Sequence, residues 1–265
     1  MVQVRFERLT KELGGNNVID AIDLTLDSGN VIALLGANGA GKTTLLHLLG
    51  GLYQPTDGQV LLDGEALRRS DLAQRRRLHF LPDIPTLAPS QTPLDYIVFA
   101  LEAYGQSGPE NDERVLDLLS EFDLLAVSDS PSRTLSRGQK YKASLIAMLA
   151  VDPDVWILDE PFTSGMDPLG LTAMRSHLLK ARNRDRLVVY STQLVEIAQQ
   201  TSDLVCVLSG NKIAAFGSAA TLEESAENSD GLNQLLQQLR GDAEMEAFSS
   251  SGNNSEDSAL NRNSE

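Results

Sequence analysis

Gly36-Ala37-Asn38-Gly39-Ala40-Gly41-Lys42-Thr43 satisfies the pattern G-x-x-x-x-G-K-[ST], between an apolar run at Val31–Leu35 and a helix-like Thr44–Leu49. Glycines at this spacing let the backbone curl so that several N–H groups point inward, and the following helix turns its positive end to the same place. Lys42 adds a full charge beside the β- and γ-phosphates of a nucleotide, and Thr43 can ligate Mg2+ through its hydroxyl. The candidate nucleotide contacts are Gly36, Asn38, Gly39, Ala40, Gly41, Lys42, Thr43 and Thr44. Farther along, Val155-Trp156-Ile157-Leu158-Asp159-Glu160 is an apolar strand ending in two carboxylates. Such an ending sets a metal-orienting group at the C-terminal edge of a parallel sheet. Asp159 is the candidate metal residue, acting through water, and Glu160 the candidate base for an attacking water.

These residues need a sheet edge to stand on. Apolar runs of strand length at Val31–Leu35, Leu78–Leu81, Val155–Leu158, Leu187–Tyr190 and Leu204–Leu208 alternate with helix-length segments. That rhythm predicts an α/β fold with a buried parallel sheet. Near the N-terminus, Val2–Leu9, Val18–Leu26 and Gln59–Leu62 read as antiparallel strands, with Asp63-Gly64 as a turn, so a mixed sheet is expected there. From Pro85 to Ala150 the strand signal gives way to helical periodicity, for example Val115, Leu118, Leu119 and Phe122 on one face of Glu110–Asp123. This predicts a helical subdomain at about 85–150 inserted in a core spanning 1–220.

Residues 221–265 form an acidic extension carrying 10 acidic against 2 basic side chains, more than half of the formal charge of −15. Within it, Gly231–Arg240 has the leucine spacing of an amphipathic helix, and Phe248–Glu265 has a disordered composition. So acidic a chain repels a phosphate backbone, which argues against a nucleic-acid partner. No apolar stretch approaches the roughly 18 residues of a spanning helix, and the alternating N-terminus reads as a strand rather than a secretory signal, so a cytoplasmic protein is expected. Cys206 is the single cysteine, and His47, His79 and His177 lack ligand spacing, so all four read as structural. The cluster Arg68, Arg69, Arg75, Arg76 and Arg77 reads as a solvated helix face, with contact to a membrane partner or lipid headgroups as the alternative.

A third segment, Leu135-Ser136-Arg137-Gly138-Gln139, precedes a helix with Ala143, Leu145, Ile146 and Leu149 on its apolar stripe, and Ser164-Gly165-Met166-Asp167 follows the Val155–Glu160 strand. In this order and spacing, over roughly residues 1–220, the four motifs resemble those of the nucleotide-binding subunits of ATP-binding cassette (ABC) proteins. The resemblance implies a P-loop NTPase core, ATP and Mg2+ as ligands, and a head-to-tail dimer with a second ABC domain. Ser136, Gly138 and Gln139 would then meet nucleotide held by the partner, and Ser164 and Asp167 would lie on the same interface. It further implies a separate multi-span membrane subunit received near Asp83–Tyr104, and a peripheral place on the cytoplasmic face of the cell membrane. The absence of an extended C-terminal regulatory domain resembles exporter-type subunits.

Four positions depart from the family pattern. Leu13 stands near where an aromatic residue stacks on adenine, Asp83 where a glutamine meets Mg2+, and Arg137 where the signature has its second glycine. Gln193, in Ser191-Thr192-Gln193, stands where the family carries histidine. Glutamine still donates a neutral hydrogen bond to a γ-phosphate but carries no charge and shuttles no proton, so slow hydrolysis is expected. The catalytic candidates are thus Glu160, Gln193 and Lys42, and the metal candidates Thr43, Asp159 and Asp83. Beside the transporter ATPase stand two alternatives: a soluble ABC ATPase without transport, and a degenerate nucleotide-gated subunit of a heterodimer.

Overall fold

The computed structural model describes residues 1–106, 108–227, 234–239 and 241. The chain opens with an antiparallel hairpin of β1 (Gln3–Leu13) and β2 (Asn16–Asp27), then β3 (Asn30–Leu35) and α1 (Lys42–Leu49). Next come β4 (Asp57–Leu62), β5 (Glu65–Ala66), the short α2 (Leu72–Arg75) and β6 (Leu78–Leu81). Three helices follow without a strand among them: α3 (Pro93–Ala103), α4 (Pro109–Glu121) and α5 (Arg137–Val151). The chain then alternates through β7 (Val155–Leu158), α6 (Pro168–Asn183), β8 (Leu187–Thr192), α7 (Val195–Thr201), β9 (Leu204–Ser209), β10 (Lys212–Gly217) and α8 (Ala219–Glu227).

The strands divide into two sheets, ordered β2-β1-β4-β5 and β10-β9-β3-β8-β7-β6. The first is wholly antiparallel. The second is parallel except for its edge strand β10. The antiparallel and parallel strands read from the sequence are both present, but the N-terminal ones form a sheet of their own. Burial explains the segregation. Strands β3, β7 and β8 bury both faces, which is why they are continuous apolar runs. Val31, Ala33, Leu35, Trp156, Leu158, Val188 and Tyr190 enter one core with α3, α4, α5 and α6. Their alternates Ile32, Leu34, Val155, Ile157, Leu187 and Val189 enter a second with α1 and the inner face of the antiparallel sheet. Strand β1 buries only Val4, Phe6 and Leu9, so it alternates.

Asp63 and Gly64 both have positive φ, the turn between β4 and β5 that the dipeptide predicts. In the helical stretch, Val115, Leu118, Leu119 and Phe122 are buried together with Leu145, Ile146 and Leu149 of α5. Residues 234–239 are helical, with Leu236 and Leu239 buried in the larger core. The ends of the expected Gly231–Arg240 helix and the segment Phe248–Glu265 lie outside the described residues.

His47 packs edge-on against Tyr53 and Phe80, His79 stacks on Tyr104, and His177 pairs with Glu121. Burial pushes the Cys206 thiol up to about 12, which makes it an inert core residue. The basic cluster is split: Arg77 bridges Asp63 and Asp154, and Arg76 donates to the Ala103 carbonyl at the end of α3.

Candidate nucleotide site

Four parallel strands end side by side in the order β3, β8, β7, β6, so Gly36, Gln193, Asp159-Glu160 and Asp83 all follow the C-terminal edge of one sheet. Leu35 is in register with Thr192, and Leu158 with Tyr190 and Leu81. This edge is where ligands bind in open α/β sheets.

The loop from Gly36 to Gly41 joins β3 to α1. Gly41, the N-cap of α1, has φ 99°, and a Cβ there would lie 2.9 Å from the Val18 carbonyl oxygen, so a side chain is excluded twice over. The Gly36 N–H donates to the Thr192 carbonyl at 3.3 Å, which ties the start of the loop to the residue before Gln193. Lys42 is buried, and its Nζ donates to the Gly36 carbonyl at 2.8 Å and the Ala37 carbonyl at 3.3 Å. The same ammonium lies 3.3 Å from Glu160 Oε1. Two loop carbonyls and one carboxylate thus satisfy the ammonium within the chain.

Thr43 and Asp159, separated by 116 residues, meet: Thr43 Oγ1 donates to Asp159 Oδ2 at 2.8 Å. The other carboxylate oxygen of buried Asp159 accepts from Ser191 Oγ at 2.6 Å, and Ser191 Oγ in turn accepts the Glu160 N–H at 2.8 Å. Ser191 thus fixes both acidic residues. Glu160 takes a left-handed φ of 45°, which stops β7 and begins the turn Pro161–Thr163. Burial pushes the Glu160 carboxyl up from the ordinary carboxylate range; the Lys42 ammonium opposes the rise, while Asp159 and Asp83 add to it. A carboxyl shifted upward by burial, at a sheet edge, has the character of a proton acceptor.

Thr43 and Asp159 supply two adjacent hard oxygens, a donor set that suits Mg2+. Among the described residues no cluster of three His, Cys, Asp or Glu side chains could hold a metal, so the cation would complete its shell with phosphate and water. Of the three metal candidates the structure brings these two together, whereas the Asp83 carboxylate pairs with Arg137.

The first turn of α5 forms a second cluster. Ser136 is its N-cap in a capping box with Gln139: Gln139 N–H donates to Ser136 Oγ at 3.2 Å and Ser136 N–H to Gln139 Oε1 at 2.9 Å. The Ser136 hydroxyl accepts in that bond and keeps its proton for an incoming oxygen. A Cβ on Gly138 would lie 2.3 Å from the Gly165 carbonyl oxygen, so only glycine lets this turn press against the loop before α6. The same loop is clamped by Lys142, buried on α5, which pairs with Asp167, the N-cap of α6. Within this chain Ser164 is fully buried, whereas Asp167 is exposed.

Sequence reading missed Ser191, Lys142 and the partnership of Asp83 with Arg137. The one local signal was a lysine inside the apolar stripe of α5, since a buried cation requires a counter-charge.

Residues 19–163 match the family model described as ABC transporter. A putative ABC transporter ATP-binding protein of Methanothermobacter thermautotrophicus is 30% identical over 231 residues, covering 85% of this chain and 81% of that protein. The energy-coupling factor transporter ATP-binding protein EcfA of Methanosphaera stadtmanae is 34% identical over 209 residues, covering 77% and 74%. A solved structure described as an ATP-binding subunit of an ABC transporter matches with a TM-score of 0.81 and 26% identity, over 89% of this chain and 98% of that one. With the motif order, the sheet edge and these relatives in agreement, the chain belongs to the ABC transporter family, as one of its ATP-binding and ATP-hydrolysing subunits.

Proposed function

We propose that ATP binds with its phosphates in the loop Gly36–Thr44 and that Glu160 activates the water that attacks the γ-phosphate. The observation that carries this reading is the convergence of Lys42, Thr43, Asp159 and Glu160, with Lys42 Nζ 3.3 Å from Glu160 and Thr43 Oγ1 2.8 Å from Asp159. On this reading Lys42 leaves the loop carbonyls for the β- and γ-phosphates, and backbone N–H groups of the loop and the first turn of α1 take the remaining oxygens. Thr43 and Asp159 hold Mg2+, which neutralises phosphate charge when bound. Glu160, with its carboxyl raised by burial, takes the proton of the attacking water, and Ser191 keeps it aimed through its backbone N–H. Gln193, which directly follows β8 at this edge, donates a neutral hydrogen bond to the γ-phosphate.

The free Ser136 proton and the N–H groups at the N-terminus of α5 suit the γ-phosphate of nucleotide held by a second ABC domain, and Gln139 holds that turn through its cap. Two such domains closing on ATP and parting after hydrolysis would drive a separate multi-span membrane subunit. No described helix is long and apolar enough to cross a membrane, in keeping with a division of labour between this chain, on the cytoplasmic face, and that partner.

Calorimetric titration with ATP tests the site. The Mg2+-supported affinity of the full chain falls at least about tenfold in Lys42→Ala, in line with losing a charge-assisted contact; equal affinity overturns the reading. A second reading, a slow nucleotide-gated subunit, is favoured by Gln193, Asp83 and Leu13 and opposed by Glu160. If that glutamine limits turnover, Gln193→His raises kcat by about 10-fold or more. An unchanged rate removes Gln193 as the cause.

A further inference from the structure

Asp83 follows β6 and Arg137 opens α5, 54 residues later, and Arg137 Nη2 lies 2.5 Å from Asp83 Oδ1. Both belong to the set in which this sequence departs from its family's pattern, and they are each other's partner. The place of Asp83 makes its charge matter. β6 neighbours β7 in register, Leu81 against Leu158, so Asp83 follows the same edge as Asp159 and Glu160. The Asp83 carboxylate is felt by Glu160 and by buried Tyr141 of α5. Three carboxylates therefore share the edge that must accept a triphosphate. Lys42 answers Glu160, and Arg137 answers Asp83. Arg137 is half exposed, with 52% of its side chain open to solvent.

We propose that Arg137 is a positioning residue that masks the charge of Asp83 from the bound triphosphate, acting through Asp83 rather than on the nucleotide. The pair lets an acidic residue stand after β6 without repelling ATP, and it ties that loop to the first turn of α5, which Gly138 and Lys142 already anchor to the loop before α6. This inference rests on the ATP site proposed above.

A double-substitution cycle on the full chain tests it, with the dissociation constant of a fluorescent ATP analogue measured in EDTA and KM for ATP measured with Mg2+. Arg137→Gly bares the Asp83 carboxylate, and the analogue binds about fivefold more weakly, an effect that shrinks toward twofold in 0.5 M salt. Arg137→Lys keeps the charge and stays within about twofold of the parent. In a chain already carrying Asp83→Gln, adding Arg137→Gly produces no further loss, because there is nothing left to mask. Thermal melting of each variant confirms that it is folded. Two results overturn the proposal: an unchanged affinity in Arg137→Gly, or a loss that persists in the Asp83→Gln chain, which would put Arg137 directly on nucleotide held by a second copy. Lys42→Ala separates the levels. If it retains full affinity, the ATP site itself is wrong; if it loses affinity while the cycle is flat, only the masking fails.

Discussion

Ser191 ties together the two acidic residues that end β7. Its hydroxyl donates to Asp159 and accepts the Glu160 N–H, so one buried oxygen fixes the metal-side carboxylate and the base-side backbone at once. Ser191→Ala should lower kcat about 10-fold with a smaller change in KM, and cost about 1–2 kcal/mol of stability by leaving buried groups unpaired. Steady-state kinetics and urea denaturation measure the two. Local sequence shows why Lys42, Thr43, Asp159 and Glu160 were legible and Ser191 was not. The former sit in short patterns whose flanking strands and helix can be read from the same few residues. Ser191 acts across 32 positions, and Asp83 and Arg137 meet across 54, with no pattern to say which charge finds which.

At the scale of elements, the apolar runs announce the parallel strands because burial on both faces leaves no polar alternation to mislead. β10 escaped such reading for the opposite reason: it is the antiparallel edge, and its six residues alternate between exposed and half-buried. The segregation of β1, β2, β4 and β5 into a separate sheet was likewise hidden, since alternation gives the buried face of a strand but not its sheet. The junction of β6 with α3 carries a titratable group that can be tested. His79 stacks on Tyr104, whose hydroxyl donates to the Leu78 carbonyl at 2.6 Å, and burial pushes its imidazole down to about 4. With the folded value below the unfolded value of about 6.5, the neutral form is favoured by folding; that stability is complete above pH 6.5 and drains away as pH falls toward 4. Between pH 7 and 4.5 the parent should therefore lose about 2 kcal/mol more than His79→Phe, which keeps the ring and removes the charge. Parallel denaturation curves of the two chains would reveal this gap, and identical pH profiles would rule it out.

The molecule as a whole is a parallel sheet edge that carries the proposed phosphate loop, joined to a helical layer whose α5 opens on the capped turn at Ser136. One side offers the loop around Lys42 with Asp159 and Glu160, and the other offers Ser136 at the start of α5. Two ion pairs tie the helical layer to the loops at this edge, Asp83 with Arg137 and Lys142 with Asp167. With Glu160 as the base of ATP hydrolysis at this edge, purified Glu160→Gln should bind ATP within about threefold of the parent while its turnover of Mg2+-ATP falls at least about 100-fold, the share a general base contributes. Side-by-side turnover assays of the two chains decide it, and equal rates would refute Glu160 as the base.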